Sequence, residues 1–243
     1  MSSVENHYRS FLAERYSWMS GGHDTQVERS RKMLESVGVG GSDGRNAVDL
    51  GCGSGYQSLA LAEMGFSVTA VDTSEALLEE LRSRVEGQQI ATVLGDMTDA
   101  SVYASAAPFQ VAVCMGDSLV HLDEVEHVRQ MFGGLHGVLE EGGKLVLSFR
   151  DLSQELTGID RAIPVRLDDT SLMATFLEYT DRHVNVHDMA FDRLHGEWKM
   201  AKSSYRKLRL SGDEIASMLT DIGFGDIQKS VERGFVLISA ART

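Results

Sequence analysis

Proline is scarce in this chain: its 243 residues contain only two, Pro108 and Pro164, and no low-complexity tract. Disordered linkers are rich in proline and small polar residues, so a long linker is not expected. No apolar run reaches the length of a membrane span, and the polar N-terminus lacks the apolar core of a signal peptide. We therefore predict a cytoplasmic protein in which Cys52 and Cys114 are free thiols.

Positive charge is scarce as well. Lys and Arg number 23 against 36 Asp and Glu, which gives a formal net charge of −13. No basic cluster is present of the kind that follows a phosphate backbone. We therefore expect a small-molecule partner, with no nucleic acid and no membrane among its partners. Whether the chain forms a homo-oligomer is left open.

Short apolar strands alternate with helical segments over the first 150 residues. The predicted strands cover 46–51, 66–72, 90–96, 109–117 and 144–151. The predicted helices cover 55–65, 73–87 and 125–143, with Thr73 or Ser74 as the cap of the second one. Strands joined by helices of about a dozen residues are typical of right-handed crossovers in a parallel sheet.

The pattern changes after residue 160. Stretches of period two, rich in β-branched and aromatic residues, predict an antiparallel β-meander inserted after strand five. Ser211 and Glu214 have the spacing of a capping box, and the chain closes with a strand, a turn and a strand. We predict an α/β fold with a doubly wound, mostly parallel Rossmann-like sheet. The single domain divides into an N-terminal helical lid (1–37), a cofactor-binding core (45–150), the meander on the substrate side (160–210) and a C-terminal helix and antiparallel hairpin (211–243).

A glycine-rich turn follows the first strand, in "VDLGCGSGYQ" at residues 48–57. Gly51, Gly53 and Gly55 form G-x-G-x-G, whereas the dinucleotide fingerprint G-x-G-x-x-G/A requires a small residue where this chain has Tyr56. Asp49 lies two residues before the first glycine, where it would repel a pyrophosphate but attract a sulfonium or an ammonium. The turn therefore favours a sulfonium nucleoside, with a nicotinamide dinucleotide as the alternative.

Four motifs in order, "VDLGCGSG", "VTAVDTS", "VLGDM" and "AVCMGDSLVHL", resemble the class I S-adenosylmethionine-dependent methyltransferases over residues 45–150. The resemblance implies S-adenosylmethionine as cofactor. It implies that Asp49, Gly51 and Gly53 line its methionine end, that Asp72 binds the ribose, and that Asp96 and Met97 hold the adenine. Further cofactor contacts are predicted from Cys52, Thr73 and Met115, and from Tyr16 and Trp18 of the lid, with packing as an ordinary helix face as the alternative for these two aromatics.

Other segments are similar to the glycine N-methyltransferase kind of small-molecule enzyme: "SGGHDTQVER", "GFSVTAVDTSEALL", "CMGDSLVHL" and "LVLSFRDLS". The resemblance implies that Arg150 binds a substrate carboxylate, a bond that guanidinium groups make in two parallel contacts. An ion pair between Arg150 and a neighbour such as Asp151 is the alternative. Asp117 replaces an asparagine of that family and is predicted as a catalytic residue that favours a cationic or strongly hydrogen-bond-donating acceptor. The family's N-terminal arginine matches neither Arg29 nor Arg31 cleanly, and neither is assigned.

The remaining candidates concern the acceptor. His121, four residues beyond Asp117, is predicted either to take the proton of an ammonium acceptor or to hydrogen-bond it, with a purely structural role as the alternative. Tyr205 is predicted to contact the substrate from the meander. His183 and His187 have the spacing of one strand face, but no third ligand accompanies them, so no metal site is predicted.

These features predict an enzyme that transfers a methyl group by in-line displacement to the nitrogen of a small amine, an amino acid or another carboxylate-bearing amine. The first alternative is an amino-sugar N-methyltransferase or a small-molecule O-methyltransferase of natural-product tailoring. The second is a module that binds S-adenosylmethionine without turnover. Fold alone does not decide among these, because one architecture hosts many reactions.

Overall fold

The computed structural model describes residues 7, 11–12, 15, 18–19, 21–41, 43–232 and 234–243. The helices are α1 His23–Ser36, α2 Tyr56–Glu63, α3 Glu75–Arg84, α4 Val125–Val138 and α5 Gly212–Ile222. The first five strands are β1 Asn46–Leu50, β2 Ser67–Asp72, β3 Ile90–Leu94, β4 Phe109–Cys114 and β5 Leu139–Phe149. The other six are β6 Ala162–Leu167, β7 Ser171–Tyr179, β8 His183–Leu194, β9 Glu197–Leu208, β10 Phe224–Glu232 and β11 Phe235–Arg242.

The larger sheet has seven strands in the order β3-β2-β1-β4-β5-β11-β10. Strands β1 to β5 pair in parallel, while β11 pairs antiparallel with both β5 and β10. The strand order reverses between β1 and β4, and ligands of doubly wound sheets bind beyond the carboxyl ends of the strands at such a switch point. The predicted fold class, including the C-terminal hairpin, is confirmed.

The central strand β1 is buried on both faces because helices cover the sheet on both sides. Val48 and Leu50 pack into one cluster with residues of α4 and α5, and Ala47 packs into another with residues of α1, α2 and α3. All three side chains are fully buried. Continuous apolar strands of this kind are typical of parallel sheets covered by helices.

The second sheet is the predicted meander, with four antiparallel strands in the order β6-β7-β8-β9. Its inner face is buried and carries Val184 and Val186 of β8 and Tyr205 of β9. Its outer face leaves Trp198 and Met200 of β9 exposed. The alternation predicted from the sequence therefore defines which side of this sheet faces the rest of the molecule.

The predicted helix over residues 125–143 is too long. Helix α4 ends at Val138, and β5 begins at once at Leu139, which pairs with Phe109 of β4. Gly143 lies within this early part of β5, where a Cβ would be only 2.8 Å from the carbonyl oxygen of Glu140. Residues 139–143 therefore belong to the irregular start of β5, in which Gly142 has a left-handed φ of 73° and the pairing with β4 shifts register.

The predicted strand over residues 109–117 is also too long. β4 ends at Cys114, because Gly116 and Asp117 adopt left-handed backbone conformations with φ of 75° and 80°. Such angles do not fit a strand. The chain turns here instead, and this turn carries Asp117 to the edge of the sheet.

Local capping follows the sequence closely. The side chain of Ser74 accepts from the N–H of Leu77 at the start of α3. Ser211 and Glu214 form the predicted capping box of α5, each side chain bonding to the other residue's backbone N–H. Both predictions are confirmed, because a cap depends on residues only two or three positions apart.

Cys52 and Cys114 are buried free thiols, as predicted. Burial raises the pKa of both, which keeps them protonated and unreactive as nucleophiles. In the part of the chain that the structure describes, we find no helix with both the length and the apolar composition needed to cross a membrane.

Gly55 is required by the packing of α2 on α3. It has a φ of 90°, and a Cβ there would be 2.2 Å from Cδ1 of Leu81. We expect Gly55→Ala to lower the free energy of unfolding by about 2–4 kcal/mol, because backbone strain and overpacking add. Gly40 has no atom within 4 Å of its Cβ position, so Gly40→Ala is the matched control. Equal unfolding free energies of the two variants in urea titrations would contradict this packing.

Candidate active site

A cavity of about 1190 Å³ opens between the carboxyl edge of the parallel strands and the inner face of the second sheet. Gly51, Asp72 and Asp96 line it from the turns after β1, β2 and β3. Thr175 and Lys207 line it from the meander. Pockets for a single small molecule usually measure about 300–1,000 Å³. The cavity therefore has room for two small ligands side by side.

The glycine turn after β1 is fixed on both sides. The N–H groups of Gly51 and Cys52 donate to the carbonyl of Val71 at 2.8 and 3.0 Å. Ser118 Oγ donates to the carbonyl of Gly51 at 3.0 Å, and a Cβ on Gly51 would be 2.6 Å from Cβ of Ser118. Only glycine allows the turns after β1 and β4 to meet this closely. The result is a rigid backbone wall at the switch point.

Asp72 is the last residue of β2, and its carboxylate is bound by backbone N–H groups. Its two oxygens accept from the N–H groups of Gly53 and Ser74, each at 2.8 Å. Burial raises its pKa, although these backbone bonds oppose the shift. The backbone of Thr73 contributes as well, yet a carboxylate has about four acceptor positions. Asp72 therefore keeps acceptor capacity for a hydroxyl such as that of a ribose.

Asp49 lies beneath the glycine turn and is only 1% exposed. Ser58 Oγ donates to its carboxylate at 2.6 Å, and burial, aided by the charge of Asp72, raises its pKa to about 7. It is absent from the cavity wall. The predicted direct contact of Asp49 with the methionine end of the cofactor is therefore corrected: Asp49 joins β1 to α2 under the turn.

Most of the predicted cofactor residues do line the cavity: Gly51, Cys52, Gly53, Asp72, Thr73, Asp96, Met97 and Met115. Trp18 does not. Its Nε1 donates to Asp168 at 2.5 Å and its ring lies 5.4 Å from the guanidinium of Arg166, so it packs against the second sheet. The predicted contact of Trp18 with the cofactor is therefore corrected as well, because the side chain of Trp18 binds residues of the meander. Tyr16 lies outside the described residues.

Helix α1 separates the two candidate arginines. Gln57 Nε2 donates to Ser30 Oγ at 3.1 Å, which holds α1 against α2 beside the glycine turn. Arg29 lines the cavity, and its Nε is buried without a hydrogen-bond acceptor among the described residues. Arg31 faces away and pairs with Glu28 and Glu35. The guanidinium of Arg29 is thus the one able to receive an anionic group of a bound ligand.

Asp117 occupies the other end of the cavity, in its left-handed turn after β4. One carboxylate oxygen accepts from the backbone N–H of Arg150 at 2.7 Å. The other accepts from Nζ of Lys207 at 2.7 Å and lies 3.5 Å from Nε of Arg150. Burial alone would raise the pKa of Asp117, but Lys207 and Arg150 outweigh it and hold the pKa below its usual range.

Lys207, on β9, is the residue that sequence reasoning missed. Burial alone would lower the pKa of its amine, but the charge of Asp117 reverses the shift and raises it. The period-two pattern of "SSYRKLRL" contained the signal, because Lys207 lies two residues after buried Tyr205 on the same strand face. Its presence corrects one inference: the negative charge of Asp117 is already compensated, so Asp117 by itself does not favour a cationic acceptor.

Arg150 lies on the cavity wall with its side chain half exposed. Its Cζ stacks 4.6 Å from the ring centre of Phe235, and none of the described residues hydrogen-bonds to its terminal nitrogens. Asp151 is engaged elsewhere, accepting from the N–H groups of Ser153 and Gly212. The ion pair of Arg150 is therefore made with Asp117 and not with Asp151, and it involves Nε of Arg150 and not the terminal nitrogens.

His121 ends a short 3₁₀ turn, Ser118–His121, with its ring 5.5 Å from that of Tyr205. Burial and the nearby charge of Lys207 lower its pKa to about 3. Burial raises the pKa of Tyr205 to about 12. At neutral pH both rings are therefore uncharged. They suit hydrogen bonding to a ligand, whereas a pKa near 3 does not suit the predicted general base.

The two histidines of β8 have partners of their own. His183 Nε2 lies 2.9 Å from the carbonyl of Asp123, and His187 Nδ1 lies 2.8 Å from Ser204 Oγ. Across the described ranges, no group of three His, Cys, Asp or Glu side chains has the arrangement of a metal site.

The Asp117–Lys207 pair generates a stability prediction. Lys207→Met leaves a buried carboxylate without its cation, so we expect the free energy of unfolding to fall by about 3–5 kcal/mol. Adding Asp117→Asn should restore part of the loss. Because the pair lowers the pKa of Asp117, its stabilisation is complete above the usual carboxyl range and is lost as the pH falls through the lower folded-state value.

Lys202→Met is the matched control, since Lys202 lies exposed on the same strand. Denaturant titrations in which Lys207→Met is as stable as Lys202→Met would refute the structural role of the pair.

Comparison with known proteins agrees with this geometry. A family model described as a methyltransferase domain matches residues 47–143. A Geobacillus sp. (strain WCH70) protein assigned as a methyltransferase is 34% identical over 199 residues, which cover 80% of this chain and 78% of that protein. The glycine N-methyltransferase of Oryctolagus cuniculus is 34% identical over 128 residues, 46% of this chain and 43% of that enzyme.

Among solved structures, an amino pentose methyltransferase from Micromonospora echinaspora with bound S-adenosylmethionine matches with a TM-score of 0.74 at 18% identity. The match covers 96% of this chain and 97% of that one, and it concerns the fold. The chain has the strand order, the glycine turn and a 34% identical relative along most of its length, and it belongs to the class I S-adenosylmethionine-dependent methyltransferases, enzymes whose cofactor is S-adenosylmethionine.

Proposed function

We propose that this methyltransferase acts on the nitrogen of a small-molecule amine, an amino acid or another carboxylate-bearing amine. The observation that carries the proposal is Arg150, whose guanidinium lies on the cavity wall with its terminal nitrogens unengaged by the described residues. Guanidinium binds a carboxylate through two parallel hydrogen bonds, which fixes the orientation of the bound molecule as well as its charge.

The local charge balance supports an anionic group on the acceptor. Asp117 contributes one negative charge, while Lys207 and Arg150 contribute one positive charge each. These three side chains together carry one net positive charge beside the cavity, and Asp188, which Lys207 also attracts, adds a negative charge on another part of the wall. A substrate carboxylate would neutralise the positive charge, and burial would strengthen that attraction.

The residues at the other end of the cavity fit S-adenosylmethionine. Arg29 is placed to receive the carboxylate of its methionine part, and Asp72 to accept from its ribose hydroxyls. Asp96 and Met97 line the region beyond β3, where the adenine would lie. The cofactor supplies an electrophilic methyl group on a sulfonium sulfur. The chain itself contributes position and exclusion of water, which are the main sources of acceleration in such a displacement.

His121 and Tyr205 serve the acceptor as uncharged hydrogen-bonding groups. The pKa of His121 is about 3 and that of Tyr205 about 12, so neither changes charge between pH 5 and 9. In this proposal both orient the acceptor, and His121 does not take its proton.

An amino sugar is the second candidate acceptor. The volume of about 1190 Å³ favours it, since a cofactor and a single small amino acid would leave part of the cavity unfilled. The position of the cavity between two sheets and the net charge of −13 support a small-molecule acceptor in either case, with no nucleic acid or membrane involved.

The proposed cofactor-binding site is tested with a matched pair of arginines on α1. We expect Arg29→Met to weaken binding of S-adenosylmethionine about 10–100-fold, because one charged hydrogen bond is lost. Arg31→Met removes only exposed ion pairs and should leave the affinity unchanged. Calorimetric titration gives both values. Equal affinities for the two variants would show that Arg29 does not bind S-adenosylmethionine.

The acceptor is tested with methyl-labelled S-adenosylmethionine and a panel of glycine, sarcosine, larger amino acids, diamines and amino sugars. We expect label transfer to a carboxylate-bearing amine, with kcat/KM about 100-fold lower in Arg150→Ala because the two parallel hydrogen bonds to the substrate carboxylate are lost. Arg182→Ala, which removes an exposed arginine on a loop outside the cavity, serves as the control. Transfer only to acceptors without a carboxylate, at the same rate in Arg150→Ala, would replace this proposal with the amino-sugar alternative.

A further inference from the structure

Asp188 is a carboxylate in an otherwise apolar row. The side chains of β8 that face inward are Val184, Val186, Asp188 and Ala190, and each is less than 5% exposed. Asp188 is 3% exposed, yet it lines the cavity. A charge in such a position is costly unless a partner compensates it.

The neighbours of Asp188 compensate its charge only in part. Thr175, its cross-strand neighbour on β7, donates a hydrogen bond to one carboxylate oxygen. Nε2 of His7 lies 3.4 Å from the other oxygen, but burial lowers the pKa of His7 to about 4, so this ring is neutral at physiological pH. Lys207 attracts Asp188 from β9, but its Nζ bonds to Asp117.

Asp117 and Asp188 therefore differ in kind. Asp117 has a lysine at hydrogen-bond distance, and its charge is balanced within the protein. Asp188 has a hydroxyl and a neutral imidazole as its close neighbours among the described residues. Buried carboxylates at a cavity wall with an incomplete set of partners are candidates for binding or proton transfer. The group that Asp188 lacks is a cation, and the side on which one can arrive is the cavity.

We propose that Asp188 binds the ammonium group of the acceptor and takes its proton before methyl transfer. The inference rests on the proposed N-methylation. An N–H bond of the ammonium breaks and an O–H bond forms on the carboxylate, while the electron pair stays on nitrogen as the nucleophile. The neutral carboxyl group returns the proton to water after the product leaves. No further reactant is needed.

With this assignment, the part of the cavity that would hold the acceptor has two side chains of opposite charge, which we call its two poles. Arg150 is the positive pole and Asp188 the negative one, and the charges of both act on the buried hydroxyl of Tyr205. A molecule with an ammonium and a carboxylate satisfies both poles. A molecule with a carboxylate and a hydroxyl in place of the amine leaves Asp188 without its cation.

The pH dependence follows from the groups around Asp188. The groups facing it are Thr175 of β7, Tyr205 and Lys207 of β9 and His7 of the N-terminal segment, with His187 on its own strand. Burial raises the pKa of Asp188, and the hydrogen bond from Thr175 opposes that shift. Since the carboxylate must be ionised to accept a proton, kcat/KM should fall as the pH drops through the raised pKa.

The test compares Asp188→Asn with Asp192→Asn. Asp192 lies on the same strand, outside the cavity, in an ion pair with Arg15. With the amine that the wild type methylates, we expect kcat/KM near neutral pH to fall about 100-fold in Asp188→Asn and to stay unchanged in Asp192→Asn. Calorimetry should show unchanged affinity for S-adenosylmethionine in both.

The pH profile separates catalysis from structure. In Asp188→Asn the acid limb that reports the carboxylate should disappear. Because this variant can use only amine that is already neutral, its kcat/KM should instead rise roughly tenfold for each unit of increasing pH. Thr175→Val should keep the plateau and move the acid limb to higher pH, since the pKa of Asp188 rises without the hydrogen bond. This second variant decides the question if Asp188→Asn fails to fold.

Wild-type kcat/KM and an unshifted acid limb in folded Asp188→Asn, or an unshifted limb in Thr175→Val, would overturn the role of Asp188. Failure of the proposed substrate class looks different. Methylation of an amine without a carboxylate, insensitive to Arg150→Ala but lost in Asp188→Asn, would sink the carboxylate proposal and support Asp188. A methyl group found on oxygen, with Asp188→Asn fully active, would overturn both.

Discussion

The buried ion pair between Asp117 and Lys207 joins the two sheets of this enzyme. Asp117 follows β4 of the parallel sheet and Lys207 lies on β9 of the meander, 90 positions further along the chain, with 2.7 Å between their charged atoms. The same carboxylate holds the backbone N–H of Arg150 at the end of β5. Two segments that share no strand pairing are thus fixed relative to each other, and the cavity between them has a defined shape. Breaking such a pair is costly because it leaves a buried charge, even though forming it adds little net stability.

The contrast between compensated and uncompensated charges organises the cavity. At the cofactor end, Asp72 is held by backbone N–H groups and Arg29 has a buried nitrogen still to be satisfied. At the end of the cavity where we propose that the acceptor binds, the charge of Asp117 is balanced by Lys207. The terminal nitrogens of Arg150 and the carboxylate of Asp188 can each still bind a group of opposite charge. The groups that the protein itself leaves unsatisfied are the ones that a pair of ligands would complete. Neutral His121 and Tyr205 also line the cavity, with their rings 5.5 Å apart, as hydrogen-bonding groups without charge.

Most of the fold could be predicted from local sequence patterns. The glycine turn, the caps at Ser74 and Ser211 and the period-two meander all depend on residues close together in the chain, and the structure has each of them. The boundary at Leu139 was missed because "LEEGG" continues a helical pattern until two glycines and the pairing with β4 override it. Tertiary context of this kind is outside the reach of a single-segment pattern.

The site was predicted unevenly for the same reason. Motif residues such as Asp72 and Asp96 lie at strand ends that topology brings to one edge, so their position on the cavity wall followed from the sequence. Lys207 and Asp188 depend on which meander face turns inward and on what it meets there. Asp49 was misplaced because a motif residue need not face the ligand, and Trp18 because a lid residue can pack on the meander and not on the cofactor.

The atom that receives the methyl group distinguishes this interpretation from its rivals most directly. An acceptor incubated with S-adenosylmethionine carrying a ¹³C-labelled methyl group can be examined by NMR for the bond that the labelled carbon forms. The roles proposed for Arg150 and Asp188 predict that carbon on the nitrogen of a carboxylate-bearing amine. A labelled carbon on oxygen, or on the nitrogen of a molecule without a carboxylate, would contradict the assignment of the two poles.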